Sequence, residues 1–269
     1  MDKQSIIKMA SNFIERSEYN TVSKEAAISD KVVGMKIFDE PIFAFASSGD
    51  EYFKLFKDPF IIGEHFILPK EWLAESKTVI SFFLPFTEEV KRSNSRDMNW
   101  PSEEWLHGRI EGQAFLNKLC KYLEEELKNA GYNSLVPSLD NRFWSKTGTD
   151  NQFTSNWSER HAAFVCGLGT FSLSKGLITK KGVAGRFGSI ITELELIPDK
   201  REYEKIYEYC SMCGACAKNC PAGAISLDKG KNHKICSDFL NITSEKYKPR
   251  YGCGKCQVRV PCESCIPLL

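Results

Sequence analysis

The stretch CSMCGACAKNCPAGAI, residues 210–225, decides how the rest of the chain is read. Cys210, Cys213, Cys216 and Cys220 form a C-x2-C-x2-C-x3-C run, and Pro221 follows the last cysteine. Three thiolates at equal short intervals can wrap one 4Fe–4S cubane, while the fourth, entering a short helix, points toward a second. A further set comes directly after: Cys236, then Cys253, Cys256, Cys262 and Cys265 within YGCGKCQVRVPCESCIP. The first run needs one distant partner and Cys220 needs three, so eight thiolates complete two clusters. A disulfide framework or a pair of C-x2-C zinc sites is the competing use of so many cysteines. Zinc, however, asks for neither a third cysteine at the same interval nor a Cys-Pro end. Crossing of the two sets predicts Cys210, Cys213, Cys216 and Cys262 around one cluster. Cys220, Cys236, Cys253 and Cys256 would surround the other. Cys265 competes with Cys262 for its position, and Pro261, which stiffens the approach to Cys262, favours the latter.

Composition bounds the remainder. The chain has 269 residues, enough for one large domain or two, and its 42% hydrophobic content supports a packed core. A formal net charge of +1 supplies no global attraction for nucleic acid or an anionic membrane. Nine of the eleven cysteines lie after residue 209. The other two, Cys120 and Cys166, fall on apolar stripes and read as small core residues. No secretory h-region opens the chain and no run of 18 apolar residues occurs, so a cytoplasmic protein in a reducing compartment, away from membranes, is expected.

Periodicity predicts a helix over 2–17 capped by Asp2, one bent or two short strands over 37–46, and a short helix over 50–58. TVISFFLPF (78–86) reads as a buried central strand, and 87–101 as a long polar loop. Ser102 caps the longest helix, which runs to Gly131 and opens with WLHGRIEGQ (105–113). Gly108 and Gly112 there suggest close approach of something to the backbone, or a frayed first turn. NSLVPSL (133–139) reads as a strand, and a helix runs from Ser158 to a glycine stop at Gly167. GLIT (176–179) and RFGSIITELEL (186–196) read as a hairpin with one buried face, and REYEKIYEY (201–209) as a charged helix leading into the cysteines. Strands and helices do not alternate regularly, which favours α+β over a doubly wound sheet. The predicted division is a domain over 1–200 and a cysteine domain over 201–269.

Two clusters sharing one ligand run act as a wire, and a wire implies an acceptor in the first 200 residues. No nicotinamide fingerprint, phosphate loop or D-x-H-x-x-G corrinoid motif is present. The four histidines, His65, His107, His161 and His233, lack metal spacing.

The segment SNWSERHAAFVCGLGTFSLSKGLITKKGVAGRFGSIIT (155–192) supplies what the spacing does not. Together with TVISFFLPF, WLHGRIEGQ, CSDFLNIT around Cys236 and the two cysteine sets, it resembles the epoxyqueuosine reductase-like iron–sulfur proteins, relatives of the corrinoid reductive dehalogenases. The resemblance implies a nitroreductase-like α+β N-terminal domain holding base-off cobalamin, fed by a C-terminal ferredoxin-like domain with two 4Fe–4S clusters. It places the cofactor against Gly167, Leu168, Gly169 and Thr170, against Arg186, Phe187, Gly188 and Ser189, and near His107 and Arg109. Asp150, Glu159 and His161 become candidate proton donors. Phe153 stands where the family's true epoxyqueuosine reductases carry an Asp, and Cys256 and Cys262 are spaced more widely than their counterparts. A small-molecule or corrinoid substrate, and no tRNA, is therefore expected, with a ferredoxin or flavodoxin as low-potential donor. A cofactor-free electron carrier or activase, and a flavin-filled reductase, are the alternative readings.

Overall fold

The computed structural model describes residues 1–147 and 153–268. Asp2 accepts the Ser5 N–H and opens α1 (Lys3–Arg16), whose Ile6, Ala10 and Ile14 are buried. There follow β1 (Ile42–Ser47), the short helices α2 (Glu51–Leu55) and α3 (Pro69–Trp72), and β2 (Thr78–Pro85). α4 (Glu88–Asn94) leads into α5 (Glu103–Asn129), and β3 (Ser134–Leu135), β4 (Ser145–Thr147) and β5 (Phe153–Ser155) come next. α6 (Glu159–Cys166) precedes β6 (Gly169–Phe171), β7 (Leu177–Thr179) and β8 (Gly185–Thr192). The last part holds α7 (Ala215–Lys218), β9 (Ile225–Ser226), β10 (Gly230–Lys231) and α8 (His233–Tyr247).

The main sheet has the order β1-β2-β8-β3 with every pair antiparallel, and β2 is buried along its whole length. Its side chains divide between two cores. Ile80, Phe82 and Leu84 pack with Phe115 and Leu119 of α5, and α1 lies outside α5. Val79 joins Phe164 and Val165 of α6 and Trp157 on the opposite face. The mixture of helices and strands is as expected; the sheet is antiparallel and carries helices on both faces. No helix among the described residues is long and apolar enough to cross a membrane.

Several local expectations are corrected by tertiary context. The polar segment after Phe86 contains α4, because Thr87 caps it and Glu88 and Glu89 face its N-terminal dipole while Lys91 and Arg92 face the other end. The strand expected over 133–139 is only β3, since Pro137 turns the chain into a short 3-10 helix. The GLIT segment does not pair with β8. It pairs with β6, where Gly169 lets the Ile178 carbonyl oxygen come within 1.9 Å of the place a Cβ would occupy. β8 instead inserts beside β2, with α5 and α6 on either side, so from Gly188 to Thr192 it is buried on both faces. Residues 201–209 form turns and no helix. Tyr203 donates to the Phe164 carbonyl, the Tyr209 N–H donates to Thr170 Oγ1, and Phe171 bonds Ile206, so anchors on α6 and β6 override helical propensity.

Gly108 and Gly112 lie well inside α5 and their role is packing. A Cβ would meet the Phe86 ring at 2.9 Å and the Phe38 ring at 3.0 Å respectively. These contacts bring the start of α5 down onto the β2 end of the sheet, and everything that follows is built on that junction.

Candidate metal centre and adjoining cavities

The chain brings eight of the nine C-terminal cysteines together in two groups of four. Cys220, Cys236, Cys253 and Cys256 line one cavity of about 210 Å³, next to Trp105, Arg109, Gly185 and Arg186. Cys210, Cys213, Cys216 and Cys262 border a narrower recess of about 20 Å³ closed by Ile178 and Val260. Among the described residues no three His, Cys, Asp or Glu side chains converge tightly enough for a single ion. In the first group the thiols stand around a hollow, which suits a polynuclear centre. Cys265 borders neither space. It is exposed, and its thiol lies 3.7 Å from the Pro261 carbonyl oxygen.

The thiols are held in a setting hostile to bare thiolates. Burial pushes Cys253 and Cys262 up to about 12 and Cys216 up to about 11, and neighbouring thiols add repulsion, for Cys216 first from Cys256 of the other group. Cys256 is raised as well, by burial against the opposing pull of Lys231. A cationic iron centre removes that penalty, since ligation takes the thiolate form and releases the proton.

Three fasteners tie these loops to the sheet domain. Gly254, at φ +69°, lies so close to Trp105 of α5 that a Cβ would meet its indole at 2.0 Å. The fully buried Lys255 donates from Nζ to the Asn94 carbonyl and side-chain oxygens at 2.7 Å each, and Asn94 returns a hydrogen bond to the Cys253 carbonyl at 3.0 Å. At the other group, Val183 N–H donates to the Cys262 carbonyl at 2.9 Å, and a Cβ at Gly182 would meet the Glu263 oxygen at 2.2 Å. The cysteine loops are thus fixed in position relative to β8 and α5.

A larger cavity, about 570 Å³, opens between α5, the 138–145 segment, α6 and the start of β8. Gly185 and Arg186 line both it and the 210 Å³ cavity, so one strand end separates them. Among the described residues Arg186 is held there by neutral acceptors: Gln113 Oε1 and the Arg109 carbonyl, each at 2.8 Å, and the Gly108 carbonyl at 3.4 Å. Burial and the neighbouring Arg109 pull it down to about 9. Phe187 and Gly188 also line this cavity, while Ser189 lies beneath it and accepts the Trp157 indole N–H at 3.0 Å.

The remaining expected cofactor contacts are placed elsewhere. His107 is sealed in α5: Nε2 accepts the Ile28 N–H at 3.2 Å, which puts the proton on Nδ1, and Nδ1 donates to Glu111 at 2.9 Å. Glu111 in turn pairs with Arg250 at 2.5 Å, which ties α5 to the segment after α8. Gly167, Leu168, Gly169 and Thr170 form the far end of α6 and the start of β6, with Leu168 in the core and Gly167 as a left-handed cap. They line none of the three cavities described. Arg109 does reach one, stacked 4.4 Å from the Tyr251 ring centre.

Glu159, the first residue of α6, lies in the wall of the large cavity. Its carboxylate oxygens are buried near Ser138, Ser189 and Trp157 but make no hydrogen bond of ordinary geometry, and burial raises it from 4.5 to about 7. His161 is wedged between Phe56 and Phe171, bonded to Ser158 Oγ at 2.7 Å, and burial lowers it to about 3. It is neutral at physiological pH and has no imidazolium proton to give. Asp150 lies outside the described residues. Lys231, Lys255 and Arg160, which crowd the group of Cys220, Cys236, Cys253 and Cys256, were invisible to spacing arguments, because a basic residue in a polar turn looks like any solvated charge.

This arrangement defines a 4Fe–4S-binding protein, and the family described as 4Fe-4S binding domain matches residues 203–226. Its homologues are epoxyqueuosine reductases and reductive dehalogenases, both oxidoreductases. It is 34% identical over 111 residues to a tetrachloroethene reductive dehalogenase of Desulfitobacterium hafniense, a match covering 39% of this chain and 20% of that one. It is likewise 34% identical over 119 residues to the epoxyqueuosine reductase of Listeria monocytogenes, covering 40% of this chain and 30% of that one. A crystal structure of epoxyqueuosine reductase with a tRNA-Tyr stem loop superposes with a TM-score of 0.55 at 18% identity, over 97% of this chain and 65% of the other. The matched parts thus span less than two thirds of each relative.

Proposed function

We propose that the chain is an oxidoreductase in which two 4Fe–4S clusters deliver low-potential electrons, one at a time, to the large cavity. Residues 201–269 form the ferredoxin-like part. Cys210, Cys213, Cys216 and Cys262 hold the outer cluster, and Cys220, Cys236, Cys253 and Cys256 hold the inner one. Residues 1–200 supply the acceptor site. The observation that carries this reading is the shared wall: Gly185 and Arg186 border both the inner cysteine cavity and the large one.

The large cavity suits a base-off corrinoid. Among the described residues no histidine is presented there as a metal ligand: His107 is sealed, and His161, though in the wall, is packed between aromatic rings. Arg186, Phe187 and Gly188, which line the cavity, would hold the group, while Arg109 lines the adjoining cavities. Such a group supplies a strongly reducing metal centre when bound. The chain's own contribution is a wall of mixed apolar and polar side chains and a proton at Glu159, which burial keeps protonated up to about neutral pH. A small molecule is the better substrate than tRNA, given the near-zero net charge and Phe153 in the place of the relatives' acid. A ferredoxin or flavodoxin is the fitting donor.

Anaerobic reconstitution followed by iron, sulfide, cobalt and flavin analysis tests the reading. About eight irons per chain with stoichiometric cobalamin uptake is expected. Eight irons without a corrinoid would make it an electron carrier, bound flavin would replace the corrinoid, and zinc without sulfide would end every version.

A further inference from the structure

Beside Cys236 the chain collects cations without acids. A cavity of about 480 Å³ is lined by the cations Arg109, Arg160 and Lys231 and by His233, which burial and the nearby cations keep neutral, and among the described residues no Asp or Glu borders it. It shares Phe153 and Arg160 with the large cavity and Arg109, Lys231 and Cys236 with the inner cysteine cavity. None of the four basic residues takes part in an ion pair among the described residues. Arg109 bonds the Tyr251 hydroxyl at 3.0 Å, yet its Nε is buried with no partner at all. Arg160 donates to the Lys175 carbonyl, a neutral acceptor.

Charge arithmetic shows that the cluster alone does not account for them. An oxidised 4Fe–4S core with four thiolates carries about two negative charges. Lys255, next to Cys253, and Lys231, drawn to Cys256 and Cys236, already offset these. The guanidinium groups of Arg109 and Arg160 remain. Leaving a buried guanidinium N–H orphaned carries a desolvation cost that a bound acceptor would remove. Two guanidinium forks and a phenol around one hollow are a fit for an oxyanion.

We infer that this cavity is an oxyanion site, taking a phosphate or carboxylate group of the molecule that receives the electrons and seating it on Arg109 and Arg160 beside the inner cysteine group. The electron-receiving role rests on the oxidoreductase reading; anion binding itself does not. The hollow, about 480 Å³, leaves room for a ligand bulkier than the oxyanion alone. Either a corrinoid's own nucleotide phosphodiester or an anionic substrate supplies that chemistry.

The test uses the full chain, before and after cluster loading, at low ionic strength. Calorimetric titration with inorganic phosphate and with benzoate is expected to give saturable binding, weakened at least ~10-fold in Arg160→Gln and in Arg109→Gln. Cobalamin and cobinamide, which lacks the nucleotide phosphodiester, then separate the sources. A preference for cobalamin that vanishes in Arg160→Gln assigns the anion to the corrinoid. Equal corrinoid binding with Arg160-dependent benzoate binding assigns it to the substrate. Should an arginine variant lose its native circular dichroism, Lys231→Gln and the salt dependence of the unmodified chain provide the same readout. No saturable anion binding together with no cobalamin preference, or equal affinity in the chain and its folded variants, overturns the inference. A chain that binds phosphate but takes up no iron would instead defeat the oxidoreductase reading and leave the site standing.

Discussion

Replacing Glu159 with Gln is expected to make the protein less sensitive to rising pH. In the native chain burial holds the Glu159 carboxyl near 7, against 4.5 when free. Between those values the folded state keeps a proton that the unfolded chain has released, so stability falls as pH rises through this window and levels off above it. Each tenfold in proton affinity is about 1.36 kcal/mol, so from pH ~5.5 to ~8 the carboxyl withdraws roughly 2 kcal/mol. Part of the side chain borders the cavity, which makes this an upper figure. The Gln variant keeps the shape and lacks the titration, and groups common to both chains cancel in the comparison. Thermal melts of the cluster-loaded proteins, taken anaerobically across that range, should show the native chain losing some 4–8 °C more than the variant. Activity would fall in the variant at every pH, because the amide has no acidic proton to give. Two parallel curves of melting temperature against pH would refute the buried, protonated carboxyl and with it the proposed proton source.

Other substitutions probe the metal centre. Cys262→Ser should cost about half the bound iron, whereas Cys265→Ser should cost none; iron loss confined to Cys265→Ser would reverse the ligand assignment. Gly254→Ala forces a left-handed residue with a side chain into the Trp105 indole, a combined penalty of roughly 2–4 kcal/mol. A melting point lowered by at least ~4 °C with partial loss of the inner cluster is expected, and a native-like melt would show that the loop is not clamped on α5. Lys255→Met removes a buried cation beside Cys253 and should lower the potential of one of two clusters by about 50–100 mV in an EPR-monitored redox titration, with the other unchanged. An unshifted pair would place Lys255 outside the inner cluster's field.

Legibility in the sequence followed the range of the interaction involved. The α1 cap at Asp2, the Ser102 start of α5 and the Gly167 stop of α6 rest on contacts within a few residues, and each stands where its residues foretold. Partner choice was not legible. GLIT and β8 look like a hairpin because both are apolar and a turn joins them, but only the packed molecule shows β6 as the nearer partner for one and β2 for the other. The turns at 201–209 replaced a helix for the same reason: Tyr203 and Tyr209 bond to residues some 39 positions away.

The cysteine intervals by themselves determined the class of chemistry, since a cubane dictates how far apart along a chain its thiolates stand. The preference for Cys262 over Cys265 already rested on Pro261, and the structure sets Cys262 in the recess and Cys265 at the surface; tertiary structure alone decided that His107 is sealed by Ile28 and Glu111 and that Glu159 lies buried beside a cavity. Ligand type is written in residue identity, whereas direction, burial and charge balance belong to neighbours that meet only when distant segments pack.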